Sequence, residues 1–365
     1  MEVLNATRMR AGYTMGMRPD GRELLVVVVK GTFKIPENGG EAMLAPEQIP
    51  LVEADVFTGE PGFSAPLYES DYAPYKPCCD VILNGSAYAP GGKPAIRVRV
   101  SLQVGSLFKS FDVVGNRIWK KRLSFIRASK PQAFTAMPIS YDNAFGGVDN
   151  THKREKKHRA YLSNHVGIGF HSNLKTEFIN NKPLPNTEES GRPVTKPRGK
   201  YRPMSFGPIA RLWPPRLRHA GTYDHAWVDN TFPFLPTDFD QRYFQCAPLD
   251  QQFSHPKGWE EVVLTNLTPQ GRTVFRLPRM IDLPLEFTDS SYERSEQHVL
   301  PDTIIIEPDL GRFTLTWRAS HPLKRNMLEM RQCVVGRMSR GWYHARRTGK
   351  TYSPSLAFFV RRKGN

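Results

Sequence analysis

Cysteine is scarce in this chain, and what there is offers no staple. Four cysteines occur in 365 residues, at positions 78, 79, 246 and 333. No pair has zinc-site spacing, and a bridge between the adjacent Cys78 and Cys79 would be strained. A disulfide scaffold is excluded, and a reducing compartment fits. Long hydrophobic runs are missing too. The longest wholly aliphatic run, Leu24 to Val29, is far too short to span a bilayer. Glu2, Arg8 and Arg10 precede any apolar stretch, so no secretory signal is expected and the expected location is the cytoplasm. Catalytic signatures are equally thin. There is no G-x-S-x-G elbow. The Gly85 to Lys93 stretch has the wrong spacing for a phosphate loop and places Pro94 where a magnesium-binding Ser or Thr would stand. Cys78 or Cys79 would act as a nucleophile only beside a histidine, and free cysteine is more often plain core. His165 with His171, and His219 with His225, lack the third ligand a metal site needs. The expectation is a protein that is not an enzyme and holds neither metal nor cofactor.

What is present is mostly strand. Glu23 to Lys34 carries four consecutive valines and reads as a buried strand. From Ala95 to Val104, Ile96, Val98, Val100, Leu102 and Val104 alternate with polar residues, the mark of a half-exposed antiparallel strand. Three hairpins are predicted: 108–114 with 117–122 around Gly115-Asn116, 261–267 with 272–277, and 303–307 with 313–318. Helices are predicted only near Asp238, running through Phe244, and over 323–333, after Pro322. The fold class expected is mainly β, an antiparallel sandwich or barrel-like core with long irregular insertions and few short helices. One β-rich domain is expected over 1–320. Mobile basic loops are expected near 151–160 and 186–203, and a basic segment over 321–365.

Net charge is +16, with pI near 9.7, and it is unevenly placed. The 190–218 stretch carries +8, the 151–160 stretch +4 and the 324–365 stretch +10, which leaves the remainder acidic at −6. Such blocks serve as solvated loops, or they draw acidic proteins, nucleic acid or anionic lipid.

The 203–247 stretch holds nine aromatic residues and is broken by Pro208, Pro214, Pro215, Pro233 and Pro236. Neither a long helix nor a central strand accommodates those prolines, yet so many rings need packing. Long ordered irregular segments are usually functional, and Trp, Tyr and Arg dominate interface hot spots. Trp213, Arg216, Arg218 and Tyr223 are the candidate partner contacts. Two other readings compete. The same mixture of rings and bases suits single-stranded nucleic acid. Asp238 and Asp240, near Asp224 and Asp229, imitate a glycosidase carboxylate pair, although aspartates at turns and caps are the commoner explanation.

Several short runs together resemble one family: Asp71-Tyr72-Ala73-Pro74 with Lys76-Pro77 and Asp80-Val81; Phe145-Gly146-Gly147; Asn164-His165-Val166-Gly167-Ile168-Gly169-Phe170; Leu184-Pro185-Asn186; Phe206-Gly207-Pro208-Ile209; Trp213-Pro214-Pro215-Arg216; Ala220-Gly221-Thr222-Tyr223-Asp224; Leu235-Pro236-Thr237-Asp238-Phe239-Asp240; and Asp302-Thr303 with Trp317-Arg318. Their order resembles the domain-of-unknown-function family encoded beside VgrG, PAAR and toxin genes in type VI secretion clusters. The resemblance covers about residues 1–320. It implies a cytoplasmic adaptor, or chaperone, that loads a secreted effector onto the PAAR/VgrG spike. It implies no membrane partner, and Phe145, Gly146, Gly147, Gly167, Gly169, Asp238 and Asp240 become turn-shaping residues. His165 departs from the expected Asn-Pro-x-Gly pattern.

Overall fold

Ten consecutive residues of the Glu23–Lys34 strand are buried. Both faces of this strand are covered, as its valine run predicts. The computed structural model describes residues 1–352 apart from Asn38, Ser124, Met280 and Arg325. In it, Glu23–Lys34 lies between Arg10–Met17 and Arg312–Pro322 in a seven-stranded sheet. Beyond Arg312–Pro322 follow Pro301–Glu307, Cys79–Leu83 and the short edge strand Gln252–Phe253. Cys79–Leu83 runs parallel to Pro301–Glu307, so the sheet is mixed where purely antiparallel pairing was expected.

A five-stranded sheet faces it, in the order Thr187–Glu188, Leu107–Val114, Arg97–Val104, Glu261–Thr265 and Arg272–Arg276. The alternation in Arg97–Val104 is as read: Val98, Val100, Leu102 and Val104 are buried, and Ile96, just before the strand, is exposed. The inward residues of both sheets form one core with Leu25, Val27, Val29, Ile304 and Ile306. Phe275 of one sheet meets Phe313 of the other at 5.3 Å. A four-stranded sheet of Glu2–Asn5, Met330–Val335, Leu283–Asp289 and Arg294–Val299 extends that core through Leu285, Phe287 and Val335. Among the described residues no sheet closes into a barrel, and no helix is long and apolar enough to cross a membrane.

Two of the three hairpins form, Glu261–Thr265 with Arg272–Arg276 and Pro301–Glu307 with Arg312–Pro322. The third does not. Leu107–Val114 pairs with Arg97–Val104, and Trp119–Arg122 with Phe125–Ala128 in another sheet. Gly115 is instead a point of close approach, where a Cβ would collide with the Gln132 carbonyl. The predicted helix over 323–333 is also overturned. Met330–Val335 is a strand, paired in parallel with Glu2–Asn5 from the far end of the chain. The Asp238 helix is one residue pair off: Asp240 caps a short 3-10 turn, Gln241–Phe244.

The 203–252 stretch leaves and rejoins the same sheet edge. Leu83 donates its backbone N–H to the Phe206 carbonyl at 3.1 Å. At the return, Gln252–Phe253 pairs with Cys79 and Asp80. This excursion carries the candidate site.

Candidate functional site

Asp80 holds the neck of the excursion. It is fully buried and accepts hydrogen bonds from Lys76 Nζ (2.7 Å), Gln245 Nε2 (2.6 Å) and the backbone N–H groups of Cys246 (2.8 Å) and Ala247 (3.1 Å). Burial alone would raise its carboxyl; Lys76 and the two backbone donors hold it below the ordinary value. Burial likewise works to lower the Lys76 ammonium, and Asp80 raises it. The pair is therefore ionised and saturated with donors. Burial pushes the neighbouring Cys79 and Cys246 thiols well up, which leaves neither as a ready nucleophile.

Arg216 lies inside, only 3% exposed, and clasps the two limbs together. Its guanidinium donates to the Ile209 carbonyl (2.8 Å) on the outgoing limb and to the Tyr243 carbonyl (2.8 and 3.1 Å) on the returning one. The second N–H of Nη2 meets Glu69 Oε1 at 2.6 Å. Trp213 is also buried. It packs edge-on against Tyr141 (5.3 Å) and the His165 ring (5.4 Å). These two candidate contacts are therefore framework, because neither side chain reaches the surface. Arg218 and Tyr223 are exposed.

Beyond the clasp the chain forms an ordered arm. Asp224 caps the helix His225–Asn230 by accepting from the Trp227 N–H at 2.9 Å. Trp227 Nε1 donates to the Phe234 carbonyl at 2.9 Å. Tyr223 and Phe232 pack edge-on to Trp227 at 4.8 and 5.6 Å. Phe234 rests on Gly21, at the turn before the central strand, where a Cβ would stand 2.6 Å from its ring. The result is a braced aromatic cluster that faces water: Tyr223 is 54% exposed and Phe232 65%. Val228 and Leu217 are exposed alongside.

Asp224, Asp238 and Asp240 are each engaged within the arm's own structure. Asp238 accepts from Thr222 N (2.9 Å) and Oγ1 (2.7 Å), and these bonds lower its carboxyl. Arg242 donates to Asp240 and brings that carboxyl down to about 2. A glycosidase general acid needs the opposite shift. Asp224 and Asp238 lie beside Trp227 and Tyr223, where their charge opposes phosphate.

The remaining motif residues build the layer that Trp213 packs on. Phe145–Gly146 pairs in parallel with Ile168–Gly169. A Cβ on Gly146 would collide with the Asn164 carbonyl, and Gly169 has φ +95°, a conformation that suits glycine. Gly147 and Gly167 pack against each other in the same knot. Phe145 is fully buried beneath Tyr161, Phe170 and Tyr201. Asn164 Nδ2 donates to the Tyr141 carbonyl at 2.8 Å. His165, the departure from the motif, supplies what proline would not: a ring edge for Trp213 and a contact from Nε2 to the Gly62 carbonyl at 3.2 Å. Tyr201 brings the basic 186–203 segment down onto this layer, its hydroxyl accepting from the N–H groups of Thr195 and Lys196.

Sequence reasoning missed Glu69, Lys109, Asp149 and Gln251. Gln251 is completely buried and donates to the carbonyls of Val81 (2.6 Å) and Phe206 (2.8 Å) while accepting from Lys109 Nζ (2.6 Å). Asp149 accepts from Thr151, Ser172 and Asn173. The partners of Gln251 come from distant chain segments; Asp149 has one local partner, Thr151, but its burial is set by Ser172 and Asn173 from farther along the chain.

A family profile described as "Uncharacterized protein conserved in bacteria (DUF2169)" matches residues 20–318. Nothing matches among curated proteins or among solved structures.

Proposed function

The chain belongs to that bacterial family, and we propose that it is a non-catalytic adaptor that binds a secreted effector and seats it on a PAAR or VgrG spike protein of a type VI secretion apparatus. One observation carries the reading: the Tyr223–Trp227–Phe232 cluster stands in solvent on an arm whose neck is locked by Asp80 and Arg216. Large rings left in water cost free energy unless a partner covers them, and clustered exposed apolar surface marks interaction sites. A rigid arm also loses little entropy on docking. Arg218 and Tyr223 keep their place as contacts, joined by Phe232 and Val228, while Trp213 and Arg216 hold the arm in shape. The carboxylates of Asp224 and Asp238 beside Trp227 and Tyr223 favour a protein partner over single-stranded nucleic acid at these rings.

The test is affinity capture of the tagged chain from its native host at physiological salt, with nuclease added, followed by mass spectrometry. Recovery of one toxin together with a PAAR or VgrG protein is the expected result. Recovery of nucleic acid alone, with binding lost on nuclease treatment, contradicts it.

A further inference from the structure

Arginines from three separate elements converge on one groove away from the aromatic arm. The helix Arg340–Arg347 lies over the outer face of the four-stranded sheet and leaves a groove of about 870 Å³ beside it. Arg294 enters from an edge strand, Arg331 from the central Met330–Val335 strand, and Arg340, Arg346 and Arg347 from the helix. The one acid in the lining, Glu286, sits 3.8 Å from Arg294. Arg346 meets Glu2 at 3.6 Å. Among the described residues, Arg331, Arg340 and Arg347 have no carboxylate within ion-pair distance.

Helix stability does not account for this set. Arg346 and Arg347 in the last turn suit the helix dipole, but Arg340 occupies the first position, where a cation is disfavoured. Arg331 belongs to no helix. Two of the guanidinium groups lie over rings: Arg331 over Tyr292, 4.5 Å from the centroid, and Arg346 over Trp342, 5.0 Å from it. A ring beneath a guanidinium restrains it, and at Arg331, which has no carboxylate within ion-pair distance among the described residues, it leaves the N–H groups able to meet a bidentate carboxylate. Residues 348–365 are basic as well, with Lys350, Arg361, Arg362 and Lys363 and no Asp or Glu.

We propose that this groove is a docking site for an acidic, aromatic-containing polypeptide segment of a partner protein, separate from the aromatic arm. Its carboxylates take the forks of Arg331, Arg340 and Arg347, and its rings lie against Trp342 and Tyr343. The proposal stands whether or not the adaptor reading holds, and its test needs no native partner.

The experiment is fluorescence anisotropy with the purified full-length chain near physiological salt. One probe is a labelled peptide of alternating glutamate and tyrosine; the other is a labelled oligothymidylate of equal charge. The peptide is expected to bind saturably and more tightly than the oligonucleotide. Arg331→Ala combined with Arg347→Ala is expected to weaken peptide binding by roughly tenfold or more, and Tyr223→Ala in the arm to leave it unchanged. If circular dichroism shows the double variant misfolded, Arg340→Ala is read in its place with the same expectation. Equal or tighter oligonucleotide binding, peptide binding indifferent to the arginines, or no peptide binding overturns the proposal.

Discussion

Arg216 shows how one side chain serves two limbs of chain at once. Four hydrogen bonds, one of them the ion pair with Glu69, use four of the five N–H groups of its guanidinium in a buried site. Removing it leaves Glu69 and the Ile209 and Tyr243 carbonyls without this donor. Arg216→Ala is expected to destabilise the fold by about 3 kcal/mol or more, and Arg216→Lys to recover little of that, because an ammonium cannot span the same forked geometry. Urea denaturation of the three proteins checks this. Lys109 gives a second residue-scale prediction. Burial brings its ammonium down to about 8, with Asp250 opposing. The unfolded value is near 10.4, so between about pH 8 and 10 the folded chain holds fewer protons than the unfolded one. Stability from this group therefore rises with pH across that window. Thermal melts of the parent against Lys109→Met are expected to show the rise in the parent and its loss in the variant. Trp213 and Arg216 were legible in the sequence as important positions but not as interior ones. Tryptophan and arginine are the residues of both interface anchors and buried clasps, and burial is set by distant segments such as Tyr141 and Glu69.

At the scale of elements, the strands most legible in the sequence were those whose pattern depends on burial alone. The valine run of Glu23–Lys34 and the alternation of Arg97–Val104 describe local chemistry that any covering layer satisfies. Failures came where topology decides. Gly115-Asn116 has hairpin chemistry, but its flanking strands belong to different sheets. Met330–Val335 becomes a strand because Glu2–Asn5 and Leu283–Asp289 supply partners on both sides. The glycine motif reads in the sequence as a backbone requirement, and a Cβ on Gly146 would collide with the Asn164 carbonyl oxygen; Asp149, two residues beyond the motif, is not legible there. Donors from Thr151, Ser172 and Asn173 hold the Asp149 carboxyl well below the carboxylate range against the opposing effect of burial. Its contribution is present above the unfolded value near 4 and is lost as pH falls through that value toward the folded one. Asp149→Ala is expected to cost about 2 kcal/mol at neutral pH. The gap between variant and parent should narrow on acidification, as followed by far-ultraviolet circular dichroism.

For the molecule as a whole, two sheets and a third smaller one supply a rigid base. The surface proposed for docking is the arm, built from chain between the sheet strands. The core explains why the fold exists; the excursion from 203 to 252, pinned by Asp80 and Gln251 and clasped by Arg216, explains why an aromatic arm can stand exposed without collapsing. The central claim is that this arm is where a protein partner docks. Quantitative affinity capture from the native host, comparing the parent with Tyr223→Ala combined with Phe232→Ala, tests it most directly. Both side chains are more than half exposed, so the melting temperature is expected to stay the same. The account predicts that the captured effector falls by tenfold or more, in line with the cost of truncating two aromatic anchors, about 3 kcal/mol together. Undiminished capture by a variant with an unchanged melting temperature would contradict it.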